Sequence, residues 1–310
     1  MSEKIAVIGA GLIGRAWAIV FARAGFEVAL WDAVPPALQG CQQLLRENLA
    51  DLAAHGLIAE PPQALLDRIH RAASLEQALQ DAILAQENVK ETVEVKREIF
   101  AEMDRLAAPD TILTSSTSWI PTSAFSEHLP GRARILVAHP VNPPYLVPLV
   151  ELAPAPWTAP DTVTRAKQIY ARAGQSPVVL NKEITGFLLN RIQGAVLNEA
   201  LNLYENGYAS AEDIDKVFKH GLGLRWSFMG PFETIDLNAP AGVLDYARRY
   251  GHTYGEVARS QLPNAWQAAT LDQLAQERRA VLPVEQLAER ARWRDNRLMG
   301  LIAHQRQQPK

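Results

Sequence analysis

The sequence predicts an α/β chain that begins with a doubly wound, largely parallel sheet and ends in an all-helical region. Two observations support this fold class. Short apolar runs alternate with amphipathic segments over the first part of the chain. From Ile184 onward the strand patterns stop, and long Leu- and Ala-rich helical patterns continue to Gln305. We therefore expect one domain over residues 1–182 and a second, helical domain over residues 183–310.

Seven short apolar runs of the first domain are predicted to be strands. They are Ile5–Ile8, Glu27–Trp31, Ala82–Gln86, Thr111–Ser115, Arg134–Ala138, Val147–Leu152 and Pro177–Leu180. Helices between most of them would cover both faces of the sheet, as in Rossmann-type folds. One segment departs from this alternation: the stretch from about Pro36 to Arg68 is rich in Ala, Leu and Gln, and it predicts an inserted, protruding helical hairpin.

The composition excludes several classes of function. A net charge of -3 with dispersed basic residues leaves no basic patch for nucleic acid. The single cysteine, Cys41, excludes an internal disulfide and a Cys-rich metal site, and it fits a reducing compartment. Neither a signal-peptide pattern nor an apolar run of membrane-spanning length is present. We expect a cytoplasmic protein with a small-molecule partner, no metal and no membrane contact.

The N-terminus carries the signature of a dinucleotide site. The first predicted strand runs directly into Gly9-Ala10-Gly11-Leu12-Ile13-Gly14, and a helical pattern follows. Gly9 permits the tight turn, Gly11 lets the backbone approach a pyrophosphate, and Gly14 lets the helix lie close to the sheet. Leu12 and Ile13 lie within this glycine motif, and the helix predicted over Arg15–Ala24 follows it, with the partial positive charge of its N-terminus facing the phosphates.

Two acids at the ends of predicted strands are candidates for the same site. Asp32 follows the second strand, where its carboxylate would accept hydrogen bonds from the ribose hydroxyls and repel a 2′-phosphate. No arginine follows it, so we predict NAD rather than NADP. The alternative is a solvated carboxylate. Glu87 ends the third strand, at the edge where loops meet the cofactor, and its alternative is a solvated loop acid.

Polar residues at other strand ends indicate acid–base chemistry. His139 lies at the end of a predicted strand, and Glu151 lies on the following extended run. If Pro143 and Pro144 turn the chain, the Glu151 carboxylate would reach one ring nitrogen of His139, fix its tautomer and stabilise the imidazolium. Ser118 in a Ser/Thr-rich loop and Asn190 at the start of the helical part are candidates for holding a substrate oxygen.

These motifs together resemble the L-3-hydroxyacyl-CoA dehydrogenase superfamily over almost the whole chain. The resemblance rests on the glycine motif, Ser116-Thr117-Ser118, His139-Pro140-Val141-Asn142-Pro143, Val150-Glu151, Gly186-Phe187-Leu188-Leu189-Asn190-Arg191 and Met229-Gly230-Pro231-Phe232-Glu233. Within this superfamily the chain looks most like the branch of lambda-crystallin, which is also called L-gulonate 3-dehydrogenase. The motifs that carry this closer resemblance are Ser116-Thr117-Ser118, Asn142-Pro143-Pro144-Tyr145, Gly221–Trp226 and Trp293-Arg294-Asp295.

The resemblance implies roles for individual residues. His139 would be the acid–base group, Glu151 its partner, and Ser118 and Asn190 hydrogen-bonding groups for the reacting oxygen. Asn142 would lie near the nicotinamide. The family also places a lysine near the cofactor, but Lys90 and Lys96 compete for that place, and we assign neither. Trp119 is larger than the residue expected after Ser118.

Arg225 bears on the substrate. The gulonate and carnitine dehydrogenase branches carry this arginine, and a guanidinium suits a free carboxylate. A salt bridge is the alternative. Carnitine would also need an aromatic cage, for which Trp119, Tyr145, Trp226 and Phe228 are available, either as lining or as core residues.

The leading hypothesis is thus NAD-dependent oxidation of a free 3-hydroxy acid such as L-gulonate. L-3-hydroxyacyl-CoA and L-carnitine are the alternative substrates. A crystallin-like structural or NAD-binding protein is the non-enzyme alternative, although such a protein has no need of the four catalytic candidates. The family resemblance further implies a homodimer.

Overall fold

The computed structural model of the chain describes residues 3–264 and 266–309. Within these residues the sheet has eight strands: β1 (Lys4–Ile8), β2 (Glu27–Trp31), β3 (Ile69–Arg71), β4 (Ala82–Glu87), β5 (Ile112–Ser115), β6 (Ile135–Pro140), β7 (Leu149–Pro154) and β8 (Ser176–Val179). Their order is β3-β2-β1-β4-β5-β6-β7-β8, and only the β6–β7 pair is antiparallel. This is the doubly wound architecture that the alternating pattern predicts.

Helices cover the sheet and form most of the regular structure after β8. They are α1 (Leu12–Arg23), α2 (Pro35–Ala54), α3 (Pro62–Asp67), α4 (Leu75–Leu79), α5 (Val93–Leu106), α6 (Thr122–Ser126), α7 (Pro160–Arg172), α8 (Leu189–Glu205), α9 (Ala211–Lys216), α10 (Gly223–Trp226), α11 (Pro231–Leu237), α12 (Gly242–Ser260), α13 (Ala268–Val281) and α14 (Leu287–Arg306). A π-helical stretch, Val217–Leu222, precedes α10. No helix in the described ranges is long and apolar enough to cross a membrane.

The inserted hairpin is present as α2 and α3, but it does not protrude as expected. The apolar side chains of Leu45, Leu49 and Leu52 on α2 and of Leu65 on α3 are buried in the same cluster as α1. Their spacing gives the hairpin an apolar face, which gains stability when it packs against the sheet layer. The short strand β3 follows the hairpin and extends the edge of the sheet, which the sequence analysis did not anticipate.

The chain divides into two compact units. The first comprises Met1–Asn190 together with Glu289–Lys310, and the second comprises Arg191–Ala288. The C-terminal helix α14 groups with the sheet, and the domain boundary after residue 182 stays a prediction. Met299 of α14 is buried in the core cluster around α1, and Leu298 and Ile302 pack against that cluster.

The two faces of the sheet have separate cores. One contains Ile5, Val7, Trp17 and Tyr170 beneath α1, α2, α7 and α14. The other contains Ile8, Leu113 and Val137 beneath α4, α5 and α6. With both faces covered, the central strands are largely apolar, so the polar residues near their ends stand out as candidates for function.

Candidate active site

The glycine turn between β1 and α1 is shaped for a phosphate. Gly9 has φ +98°, and a Cβ on Gly14 would lie 1.8 Å from the carbonyl oxygen of Gly9, so neither position accepts a larger residue without strain. A Cβ on Gly11, by contrast, would meet no protein atom within 4 Å. Gly11 is the N-cap of α1 and supplies no side chain to cap it, which leaves the first N–H groups, including those of Leu12 and Ile13, available to an anion. The turn therefore fits a dinucleotide pyrophosphate.

Asp32 lies beside this turn, directly after β2. One carboxylate oxygen accepts a hydrogen bond from the backbone N–H of Ala10 at 2.7 Å, and the other accepts one from Val34 N at 2.8 Å. Each oxygen keeps a lone pair for a further donor. The carboxylate is thus oriented by the backbone and can accept hydrogen bonds from a pair of ribose hydroxyls.

Glu87 ends β4, and its carboxylate is bound by groups of the protein. Its side chain is fully buried and forms an ion pair with Lys96 of α5, with Nζ 2.7 and 2.9 Å from the two oxygens. Ser115 Oγ and the N–H of Val89 also donate to it. These three groups engage both carboxylate oxygens, and the assignment of Glu87 to the cofactor site stays a prediction. Lys96 is committed to this pair, and Lys90 is exposed.

His139 and Glu151 face each other across the antiparallel β6–β7 pair. Directly opposed residues of such a pair project to the same side, which brings their side chains together. His139 Nδ1 lies 2.8 Å from Glu151 Oε2, and the His139 side chain is only 6% exposed. In the described chain no group bonds to His139 Nε2, so that nitrogen is available to a substrate.

The second oxygen of Glu151 holds the start of α8. Oε1 accepts hydrogen bonds from the N–H groups of Leu188 and Leu189 at 2.8 and 2.9 Å. Burial alone would raise the pKa of Glu151, but the hydrogen bonds from His139 and these two amides outweigh it and hold the pKa below its ordinary value. Glu151 is therefore ionised at neutral pH and can stabilise an imidazolium.

The backbone before α8 adopts an uncommon conformation to make these contacts. Gly186 has φ +78° and Phe187 has φ +50°, so two successive residues are left-handed. A left-handed Phe is costly, and the packing around it offsets that cost. The Phe187 ring is fully buried, with its centroid 5.5 Å from that of His139. The Phe187 ring thus packs near the His139 imidazole, and the two residues after it donate their N–H groups to Glu151.

Ser118 is fixed by a residue that the sequence analysis missed. Glu91 Oε1 accepts hydrogen bonds from Thr117 Oγ1 at 2.8 Å and from the backbone N–H groups of Ser118 and Trp119 at 2.5 and 3.0 Å. Asn190 Nδ2 donates to the carbonyl oxygen of Ser118 at 2.9 Å. The Ser118 hydroxyl itself has no partner in the described chain. As an acid in a polar loop, Glu91 carries no sequence signal that distinguishes it from a solvated side chain.

The remaining predicted residues have less defined surroundings. Asn142 is exposed just after β6, where a cis peptide bond joins it to Pro143. Arg225 lies on α10 of the second unit; it is exposed and forms no ion pair within the described residues. Of the proposed cage residues, Trp119, Trp226 and Phe228 are exposed, whereas Tyr145 is buried in the core, where burial raises its pKa to about 12.

The arrangement can perform proton transfer next to an ordered hydroxyl group. A carboxylate on Nδ1 leaves Nε2 of the imidazole to take a proton from an alcohol. The same carboxylate holds the amides that precede Asn190, and Asn190 holds the backbone of Ser118. The His139, Glu151, Asn190 and Ser118 candidates are thus connected by hydrogen bonds within the first unit.

Comparison with known proteins agrees with this chemistry. The family model for the 3-hydroxyacyl-CoA dehydrogenase NAD binding domain matches residues 4–184, and the model for the C-terminal domain of the same family matches residues 186–280. A lambda-crystallin homolog of Bos taurus is 43% identical, covering 98% of this chain and 96% of its own. An L-carnitine dehydrogenase of a Pseudomonas species is 34% identical, covering 97% and 93%.

Solved structures show the same relationship. The 3-hydroxyacyl-CoA dehydrogenase of Archaeoglobus fulgidus superposes with a TM-score of 0.70 at 31% identity, covering 89% of this chain and 87% of that one. The chain therefore belongs to the 3-hydroxyacyl-CoA dehydrogenase family and is an NAD-dependent oxidoreductase acting on a hydroxyl group.

Proposed function

We propose that the chain oxidises the 3-hydroxyl group of a free, polar hydroxy acid, of which L-gulonate is the leading candidate. The observation that carries the acid–base part is the His139–Glu151 pair, in which Nδ1 is bound and Nε2 is left for the substrate. The free-acid part is supported by Arg225, an exposed guanidinium with no carboxylate partner in the described chain.

In the proposed reaction His139 Nε2 takes the proton of the C3 hydroxyl, and Glu151 stabilises the resulting imidazolium. A nicotinamide dinucleotide held by the Gly9–Gly14 turn and Asp32 would supply the hydride acceptor for the same carbon, and the alcohol would become a carbonyl. Ser118 and Asn190 hold the oxygen during this change. Such orientation accounts for much of the rate in reactions that need two atoms close and aligned.

The relatives also favour a free acid. L-carnitine, named for several of them, is a 3-hydroxy acid with a free carboxylate and a quaternary ammonium group. It is the second candidate substrate, because Trp119, Trp226 and Phe228 expose aromatic surface of the kind that binds such a cation. The homodimer and the cytoplasmic location stay predictions from the family resemblance and the sequence.

The test follows NADH formation with L-gulonate, L-carnitine, 3-hydroxybutyrate and 3-hydroxybutyryl-CoA. Wild type is compared with His139→Ala and Arg225→Ala, and with Arg259→Ala as an exposed arginine of the same unit. We expect turnover of a free acid, its loss in His139→Ala, and a higher KM in Arg225→Ala alone.

Other outcomes would overturn the proposal. A preference for the CoA ester that ignores Arg225 would place the chain in acyl-CoA chemistry. Intact NADH binding without turnover of any free acid would favour the structural or NAD-binding alternative.

A further inference from the structure

The hydroxyl of Ser116, at the carboxyl end of β5, is the centre of a polar cluster. Trp17 Nε1 donates to Ser116 Oγ at 3.0 Å and Gln86 Nε2 donates to it at 2.7 Å. Ser116 Oγ in turn donates to Asn88 Oδ1 at 2.7 Å. A hydroxyl offers one donor and two acceptor positions, so its hydrogen-bonding capacity is fully used by protein.

Two of these partners, Trp17 and Asn88, adjoin the glycine turn. Trp17 lies on α1, the helix that follows the glycine turn. Asn88 lies against the turn itself, because a Cβ on Gly9 would meet the carbonyl oxygen of Asn88 at 2.8 Å. Asn88 Nδ2 also donates to the carbonyl oxygen of Ile8, the residue before Gly9, at 3.2 Å. The cluster therefore contacts both ends of the turn: Asn88 contacts the strand end that precedes it, and Trp17 lies on the helix that follows it.

Gln86 connects the cluster to the rest of the sheet. The Gln86 side chain is fully buried, and its Oε1 accepts a hydrogen bond from the buried Tyr170 hydroxyl. Gln86 Nε2 also approaches the carbonyl oxygen of Ala138, next to His139, at 3.4 Å. Because buried polar groups must stay paired, each member has one low-energy position. The donor direction is fixed from Tyr170 through Gln86 and Ser116 to Asn88.

We propose that Ser116 is a positioning residue of the cofactor site, whose hydroxyl holds the Gly9–Gly14 turn in place against β4 and β5. It touches no phosphate itself and acts through Asn88 and Trp17. This role concerns NAD binding alone, so it does not depend on the substrate proposed above.

The test measures the Kd for NADH by nicotinamide fluorescence and, separately, the thermal stability of the protein without cofactor. Ser116→Ala removes one hydrogen bond from each of Trp17, Gln86 and Asn88, and Ser116→Thr keeps the hydroxyl. Ser126→Ala is the matched control: the Ser126 hydroxyl likewise accepts from an indole (Trp157 Nε1, 3.2 Å) and donates to an acceptor oxygen (the Thr122 carbonyl, 2.7 Å), but it is fully buried and lies on α6.

We expect Ser116→Ala to raise the Kd for NADH about 10-fold or more, since small displacements of a binding turn are costly. Ser116→Thr is expected to bind NADH more tightly than Ser116→Ala, and Ser126→Ala to lose comparable stability with an unchanged Kd. The proposal is overturned if Ser116→Ala binds NADH as wild type does, or if the Ser126→Ala control weakens NADH binding equally. Neither result would bear on the substrate.

Discussion

The carboxylate of Glu151 joins His139 to the start of helix α8, because each of its two oxygens has a different partner. Oε2 meets His139 Nδ1 at 2.8 Å, while Oε1 accepts the N–H groups of Leu188 and Leu189. Asn190 is the next residue and contacts Ser118. One side chain thus fixes the imidazole and the helix start that carries a second candidate group.

Replacement of Glu151 by Gln should reduce kcat by a much larger factor than its effect on the stability of the fold would explain. A glutamine amide has a single oxygen, so its NH₂ group would face either the α8 amides, which are donors, or His139 Nδ1, which would then have to accept and leave the ring proton on Nε2. We expect kcat to fall by a factor within the ~10²–10⁴ that a positioned acid–base group contributes. The measurement is kcat at saturating NAD.

Glu183→Gln serves as the control for this change. Glu183 also accepts a backbone N–H, that of Ser123 at 2.7 Å, but it contacts none of the candidate catalytic residues. It should keep the wild-type kcat. Equal kcat values for the two variants would contradict the assigned role of Glu151.

The contribution of Glu151 to stability should depend on pH with a definite sign. Its folded pKa lies below the ordinary 4.5, so the folded state favours the ionised form. The stabilisation is therefore fully present above about pH 4.5 and is lost as pH falls through the lower folded pKa. Urea unfolding of wild type and Glu151→Gln at pH 7 and below 4.5 checks this. The free-energy difference should shrink in acid, and a constant or growing difference would contradict the assignment.

The sequence predicted the parts of the site that depend on strand ends. Gly9, Asp32, Ser118 and His139 follow or end strands whose apolar pattern is strong, so the parallel sheet brings them to one edge. The part of the site that the sequence pattern does not reveal is the direction in which each side chain points. Glu87 ends a strand as expected, yet its carboxylate turns to Lys96 on α5, a contact that no periodicity reveals.

Long-range packing was the other part that periodicity left open. β3 has only three residues, Ile69–Arg71, two of them polar, and it is a strand because β2 pairs with it. Helix α14 has the same Leu/Ala-rich pattern as the helices before it, and its grouping with the first unit follows from Met299 packing in that core. Tertiary contacts, rather than local propensity, thus determine that β3 is a strand and that α14 packs with the first unit.

Asp32→Asn should weaken NAD binding and reduce the discrimination against NADP. The variant keeps one acceptor oxygen for Ala10 or Val34 but loses the charge that repels a 2′-phosphate. Hydrogen bonds to charged groups contribute about 1.5–3 kcal/mol, so the Kd for NAD should rise by about 10- to 100-fold. Binding titrations with NAD and NADP measure both effects. Asp67→Asn, on α3, should change neither, and an unaltered NAD-to-NADP ratio in Asp32→Asn would contradict the ribose assignment.

The pair Gly11→Ala and Gly14→Ala separates binding from folding at the glycine turn. An added methyl group at Gly11 meets no protein atom within 4 Å, and the residue has φ -66°, so alanine fits without strain. Gly11→Ala should unfold at the wild-type temperature but bind NADH poorly, because the methyl group would occupy the space through which a pyrophosphate approaches the backbone.

Gly14→Ala, in contrast, should lower the unfolding temperature of the protein without cofactor. Its methyl group would lie 1.8 Å from the carbonyl oxygen of Gly9, so α1 must move away from the sheet for the chain to fold at all. We expect a clear loss of thermal stability without cofactor, because overpacking of this kind costs about 1–3 kcal/mol or more. Thermal unfolding and NADH titration of both variants make the comparison. If Gly11→Ala bound NADH as tightly as wild type, the pyrophosphate could not lie against Gly11, whatever the stability of Gly14→Ala.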